Sequence, residues 1–186
     1  MHLVLVALLF ASPAQRELTP HADAALAAEL RSMAAADKEV RDRWMKDQQN
    51  QALREEVRAL DAKHVARLEQ IIAAHGWPGI SLVGFNGMND AWLIAQHGGR
   101  DFLPRVLPLM YEAVLQGELD ESLYGTSLDR VLTYQNKPQM YGTQFKPGTC
   151  EPFPIDDPAN VDARRKRAGM EPLAEYTKTL CAMYGL

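Results

Sequence analysis

Between Leu53 and His75 the chain places a core-type side chain at every third or fourth residue: Leu53, Val57, Leu60, His64, Leu68, Ile71 and His75. Steps of three and four match the 3.6-residue turn of an α-helix, so these side chains share one stripe; on a strand they would scatter over both faces. Gly76 and Pro78 stop the pattern, and helix-forming text extends it back to about Glu39. The spacing therefore predicts one long helix over about 39–75. Leucine does not recur at both core positions of successive heptads, which argues against a coiled coil. A stripe of this kind must be buried, and the rest of the chain is expected to supply the helices that bury it.

Thr19 to Ala36 is rich in Ala, Leu and Glu, with Thr19 and Pro20 placed as N-cap and first helical residue. Ile80 to Phe85 reads as a short extended piece closed by an Asn86-Gly87 turn. Helices follow over about 89–97 and 101–116, stopped by Gly98-Gly99 and by Gly117. Thr126-Ser127-Leu128-Asp129 resembles a capping box, opening a helix that must end before Pro138. Gln139 to Ile155 is richer in aromatic and β-branched residues, with Lys146-Pro147-Gly148-Thr149 suited to a type II turn, and predicts a two-stranded hairpin. Asp157-Pro158 opens a helix closing at Gly169, and Glu171-Pro172 opens the last, to about Met183. With no repeat, low-complexity stretch or interior linker, the fold class is mainly α. We expect one domain over 15–186, a helical bundle with one long helix and a small β-hairpin.

The first residues stand apart. Leu3 to Phe10 is an unbroken apolar run followed by Ala11-Ser12-Pro13-Ala14. It falls well short of the roughly 20 residues a bilayer span needs and matches the apolar region and cleavage site of a secretory signal over 1–14. No Lys or Arg precedes it, only the α-amino group and His2, so either Met1 lies inside a longer signal or the run is a buried N-terminal helix. The expected location is periplasmic or secreted, with no membrane span. Cys150 and Cys181 match no metal or redox spacing; they either pair in an oxidising compartment or stay as two buried thiols. The net charge of −4 across 186 residues does not call for nucleic acid. Arg164-Arg165-Lys166-Arg167 lacks interleaved aromatics and reads as a solvated, dipole-complementing helix end.

On the long helix, Asp47, Arg54 and Asp61 follow at seven-residue intervals along the border of the apolar stripe, about 10 Å apart. Solvated flank charges have this pattern, and so does one wall of a groove. His97 falls at a helix C-terminus, where imidazole either caps free carbonyls or acts as a general acid or base. His64 and His75 lie on the stripe and read as packing residues. The segment 129–144 concentrates Arg130, Tyr134, Gln135, Gln139, Tyr141, Thr143 and Gln144 where helix gives way to hairpin; such groups orient ligands or satisfy backbone at the junction. No zinc-binding, nucleophile-elbow, phosphate-loop or dinucleotide pattern occurs, so no metal or cofactor is expected.

Asp47-Gln48, Asp61, Gly76-Trp77-Pro78, Val83-Gly84, Gln96-His97, Asp129-Arg130, Pro138-Gln139, Tyr141-Gly142-Thr143-Gln144 and Val161-Asp162 with Arg164-Arg165 occur in that order. Together they resemble a bacterial domain family of unknown function with an ordered W-P, Q-H, D-R and Y-G-T-Q signature. The resemblance spans roughly 47–176. It implies kinship and a shared pocket, and it supplies no reaction.

The expectation from the residues is an exported helical domain with a polar pocket for a small polar ligand. As an enzyme it would use His97 and Asp61 as catalytic groups, with Asp47, Arg54, Arg130, Tyr141, Thr143 and Gln144 binding substrate. The alternative is a non-catalytic ligand-binding or protein-interaction module using the same residues.

Overall fold

The structure, a computed structural model, describes residues 23–185. The expected leader over 1–14 and the Thr19-Pro20 helix start lie outside the described residues. Seven α-helices follow in order: α1 (Ala24–Lys46), α2 (Gln51–His75), α3 (Ile80–His97), α4 (Gly99–Leu115), α5 (Glu121–Tyr134), α6 (Val161–Arg167) and α7 (Leu173–Tyr184). The architecture is mainly helical, as the periodicity predicts.

The single long helix over 39–75 is not formed; two helices share that span. The Asp47 N–H bonds the Trp44 carbonyl to close α1, and the Asn50 side chain accepts from Leu53 N–H to open α2. Side chains that bond nearby backbone compete with the helix ladder, and four polar residues in a row provide that competition at 47–50. The first helix meanwhile runs ten residues past Ala36, because nothing there interrupts it.

Ion pairs and hydrogen bonds fix the helix directions. Arg67 on α2 pairs with Glu29 (2.6 Å), while Asp61 pairs with Arg41 and Glu56 with Arg43, so α1 and α2 run antiparallel. Asp23 N–H bonds Leu82 O (3.0 Å) and Asp37 meets His97 (3.0 Å), so α1 and α3 run parallel. Trp92 Nε1 reaches Leu123 O (2.9 Å) and Arg130 Nη1 reaches Gln96 O (3.2 Å), so α3 and α5 are parallel as well. The C-terminal ends of α1, α3 and α5 therefore gather at one end of the bundle. The core between them holds Leu30, Leu68, Ile71, Met88, Ala91, Ile94, Phe102, Leu103 and Met110, all fully or almost fully buried.

Ile80 to Phe85 is helical rather than extended. Its free N–H groups are capped from α4's end, Ile80 by Glu118 O (3.1 Å) and Ser81 by Glu118 Oε2 (2.8 Å). Gly84 then kinks α3 at φ 73°, ψ 171°, a backbone region open essentially to glycine alone. Helix α5 starts five residues before the expected capping box, and Thr126 and Ser127 instead bond back to Ser122 O and Leu123 O inside it.

The expected β-hairpin is absent among the described residues. Two isolated bridges, Gln139 with Ile155 and Phe145 with Pro152, are all that remains of it. The Lys146–Thr149 turn does form, closed by Thr149 N–H to Lys146 O (3.2 Å) with Gly148 at φ 69°. Cys150, just beyond it, is disulfide-bonded to Cys181 on α7. The basic run 164–167 is not a uniformly solvated helix end: Arg165 is 1% exposed and donates to Tyr141 O and Glu171 O, both at 2.6 Å. No helix among the described residues is long and apolar enough to cross a membrane.

The kink at Gly84 generates a prediction. Gly84→Ala forces a Cβ into that backbone region and should lower stability by about 1–3 kcal/mol, read as a reduced urea midpoint; an unchanged midpoint would show that the kink is not required.

Candidate functional site

Two polar clusters meet at the end of the bundle where α1, α3 and α5 finish. The first is built on α1. Asp37 and Arg41 are one turn apart, which puts both on the same helix face. Asp37 is 2% exposed, and its Oδ1 accepts from Arg41 Nε (2.9 Å) and lies 3.0 Å from His97 Nδ1. Arg41 Nε also approaches His97 Nδ1 at 3.1 Å, and Arg41 Nη2 binds Asp61 on α2. The His97 and Asp61 side chains are each about a quarter exposed. Three helices thus contribute to one cluster of two carboxylates, one guanidinium and one imidazole.

The two carboxylates differ. Burial opposes ionisation of Asp37, but hydrogen bonds and charge from His97 and Arg41 outweigh it and hold its pKa below the usual value. Burial dominates at Asp61 and raises its pKa despite Arg41. His64, buried one turn further along α2, has its pKa lowered by burial, only partly opposed by Asp37 and Asp61.

The second cluster centres on Asp129, which is fully buried. Its two oxygens accept backbone N–H bonds from Met140 (2.6 Å), Tyr141 (3.1 Å) and Thr143 (2.9 Å), and the Thr143 hydroxyl adds a fourth donor at 3.0 Å. Burial raises the Asp129 pKa, and these donors oppose it. The chain of bonds continues outward. Gln144 Nε2 donates to Thr143 Oγ1 (3.0 Å), Arg130 Nε donates to Gln144 Oε1 (3.1 Å), and Arg130 Nη1 reaches Gln96 O, the carbonyl next to His97 in sequence. Gln96 itself is buried. Its amide nitrogen bonds Ser127, while its Oε1 has no hydrogen-bond partner among the described residues.

The expected site residues divide accordingly. His97 and Asp61 both contact Arg41. Arg130, Thr143 and Gln144 form the second cluster, and Tyr141 joins it through its backbone. Tyr141, Thr143 and Gln144 do not alternate across a strand; Gly142 at φ 73° turns the chain between them. Asp47 and Arg54 bond instead within the turn between α1 and α2, to Asn50 Nδ2 (3.1 Å) and Gln48 O (3.1 Å). His75, expected to pack, ends α2 exposed. Asp37, Arg41 and Gln96 escaped selection as site residues. The signal for the first pair was present, an Asp and an Arg four residues apart beside the apolar Met33 and Val40, but the break expected between residues 36 and 39 separated Asp37 from the helix carrying Arg41.

Residues 24–186 match a family of unknown function, DUF6624, and the chain belongs to that family. No curated protein and no solved structure matches it.

The depressed His64 pKa sets a pH window. The unfolded chain protonates His64 near the ordinary 6.5, while the folded chain resists until lower pH, so this residue's contribution to stability is lost as pH falls below 6.5. His64→Leu should remove that loss. Urea midpoints at pH 7.5 and 5.5 should then converge in the variant relative to the native chain; an equal drop in both would assign the effect to other groups.

Proposed function

We propose that this chain is an exported acid–base enzyme acting on a small polar substrate, with His97 as its proton-transfer group. The observation that carries the reading is the pair of opposed partners at one ring nitrogen. With a proton on Nδ1, the ring donates to Asp37 Oδ1 (3.0 Å) and Nε2 keeps a lone pair, ready to accept a proton. With Nδ1 bare, it accepts from Arg41 Nε (3.1 Å) and the proton sits on Nε2, ready to be given. Both tautomers are therefore partnered, and the ring can pass between acceptor and donor at its other face.

Asp37 orients the ring, and Asp61, expected from the sequence as a catalytic group, holds Arg41 in place. Arg130, Tyr141, Thr143 and Gln144 are the proposed substrate-side wall of a polar pocket, through amide and hydroxyl groups suited to holding substrate oxygens. Export is supported by the leader-like 1–14 run and by the Cys150–Cys181 bond, since disulfides persist in oxidising compartments. The location proposed is periplasmic or secreted.

Turnover of small polar substrates by the purified chain should fall roughly 10²–10⁴-fold in His97→Ala, the usual scale of a general acid–base group. Asp37→Asn keeps the shape but removes the negative charge and replaces one acceptor oxygen by an NH2 donor, and should shift the ring proton away from Nδ1 in nitrogen NMR of His97. Unchanged turnover in His97→Ala would leave the ring as a helix cap, and binding without turnover would make the chain a ligand-binding module.

Intact-mass measurement of protein from the native host tests export. The mature chain is expected to begin near Gln15, and retention of Met1 to Ala14 would sink that part of the reading.

A further inference from the structure

We propose that Asp37, Asp61 and His97 form a binding site for a divalent transition-metal ion of the Zn²⁺ or Co²⁺ type, at the position that the Arg41 guanidinium fills. One carboxylate oxygen from each aspartate and one imidazole nitrogen lie within 4.8 Å of one another. Zinc holds such donors at about 2.0–2.2 Å, which places tetrahedral ligands about 3.4 Å apart. The Asp37 Oδ1 to His97 Nδ1 separation is already 3.0 Å, so side-chain rotation of Asp61, which is partly exposed, supplies most of the closure required. Three donors from three helices leave a fourth position for water, the open arrangement of a reactive zinc site. Oxygen and imidazole donors suit zinc, cobalt or manganese better than thiolate-seeking ions.

The partners these donors have now point the same way. Asp37 Oδ1 and, when bare, His97 Nδ1 are both acceptors, and both turn toward a single N–H of Arg41. Two carboxylates against one guanidinium leave one negative charge that Arg41 does not compensate. A divalent ion balances both carboxylates at once. Arg41 has a route out of its place, since its side chain is 23% exposed and its long stem can carry the charged head to water. With the ion on Nδ1 the ring proton is confined to Nε2, which then has no lone pair to accept another, so the ion would inhibit the acid–base chemistry reversibly. Its binding stands on the geometry alone and does not depend on that chemistry.

The test uses the full chain, stripped with chelator, with no activity required. Titration with Co²⁺ should give saturable visible absorption bands at one ion per chain, and calorimetry with Zn²⁺ the same stoichiometry. Affinity should fall at least tenfold in His97→Ala and in Asp61→Asn, both at partly exposed positions where circular dichroism can verify folding. Arg41→Gln should bind more tightly, because the competing cation is gone. Absence of saturable binding to the native chain overturns the proposal, as does an affinity indifferent to both ligand substitutions. Binding that appears only in Arg41→Gln also overturns it, since the guanidinium would then own the position.

Discussion

Asp129 is the constraint on which the irregular part of the molecule depends. A carboxylate with no solvent exposure must be surrounded by donors, because an unpaired buried charge costs far more than its packing contributes. The donors it finds are the closely spaced N–H groups of 140, 141 and 143, bent around it by Gly142. Segment 139–144 therefore has its conformation set by α5. The same bonds use up the N–H groups that a hairpin ladder would need, so aromatic and β-branched text forms a loop. Arg164 and Arg165 complete the wrapping from the other side, donating to Met140 O (2.8 Å) and Tyr141 O (2.6 Å). Backbone donors go to an anion and backbone acceptors to cations, and the segment is held without a sheet.

That loop is linked to α3 through Arg130 of α5, which donates to Gln144 Oε1 and to Gln96 O. Arg130, on the residue after Asp129, contacts Gln96 O, and the next residue is His97. The two polar clusters are thereby joined through two adjacent-residue pairs, Asp129-Arg130 and Gln96-His97, each split between one member facing the interior and one facing the cluster. A helix turns 100° per residue, so neighbouring residues serve different faces. In each of these two pairs one residue fixes the frame and its neighbour reaches the cluster.

How much of this was legible in the sequence depends on whether local or distant groups decide each element. The mainly helical class, the stops at Gly98 and Gly117 and the two C-terminal helices rest on local periodicity and capping, and they are present as read. The break at 47–50 was missed because Asp, Gln and Asn also occur inside helices; only their cap bonds distinguish the two cases. Ile80–Phe85 read as extended because its β-branched and glycine content outweighed a cap supplied by Glu118, more than thirty residues away. Arg165 read as solvated because its carbonyl partners sit on a loop whose path is decided by Asp129. At the site, His97 and Asp61 were marked by position on a stripe and at a helix end. Asp37 and Arg41 had equally good spacing, but a break expected between residues 36 and 39 kept them off one helix face.

The first cluster also assigns different electrostatic work to its two aspartates. Both touch Arg41, yet Asp37 is held below the usual carboxylate range while Asp61 is raised above it. The difference comes largely from His97: Asp37 has a second hydrogen-bond donor in the ring, whereas at Asp61 Arg41 and the charge of His97 do not outweigh burial and the neighbouring Asp37. Sites that separate the pKa values of paired groups divide the roles of acid and base in the same way. Asp37 is fixed as the anion that orients the ring, and Asp61 is the carboxylate more ready to take up a proton. Protonating Asp61 would loosen its grip on Arg41, and the guanidinium would then be shared by Asp37 and His97 alone. The proton inventory of the cluster is therefore coupled to the position of one arginine, whichever cation the site is built to hold.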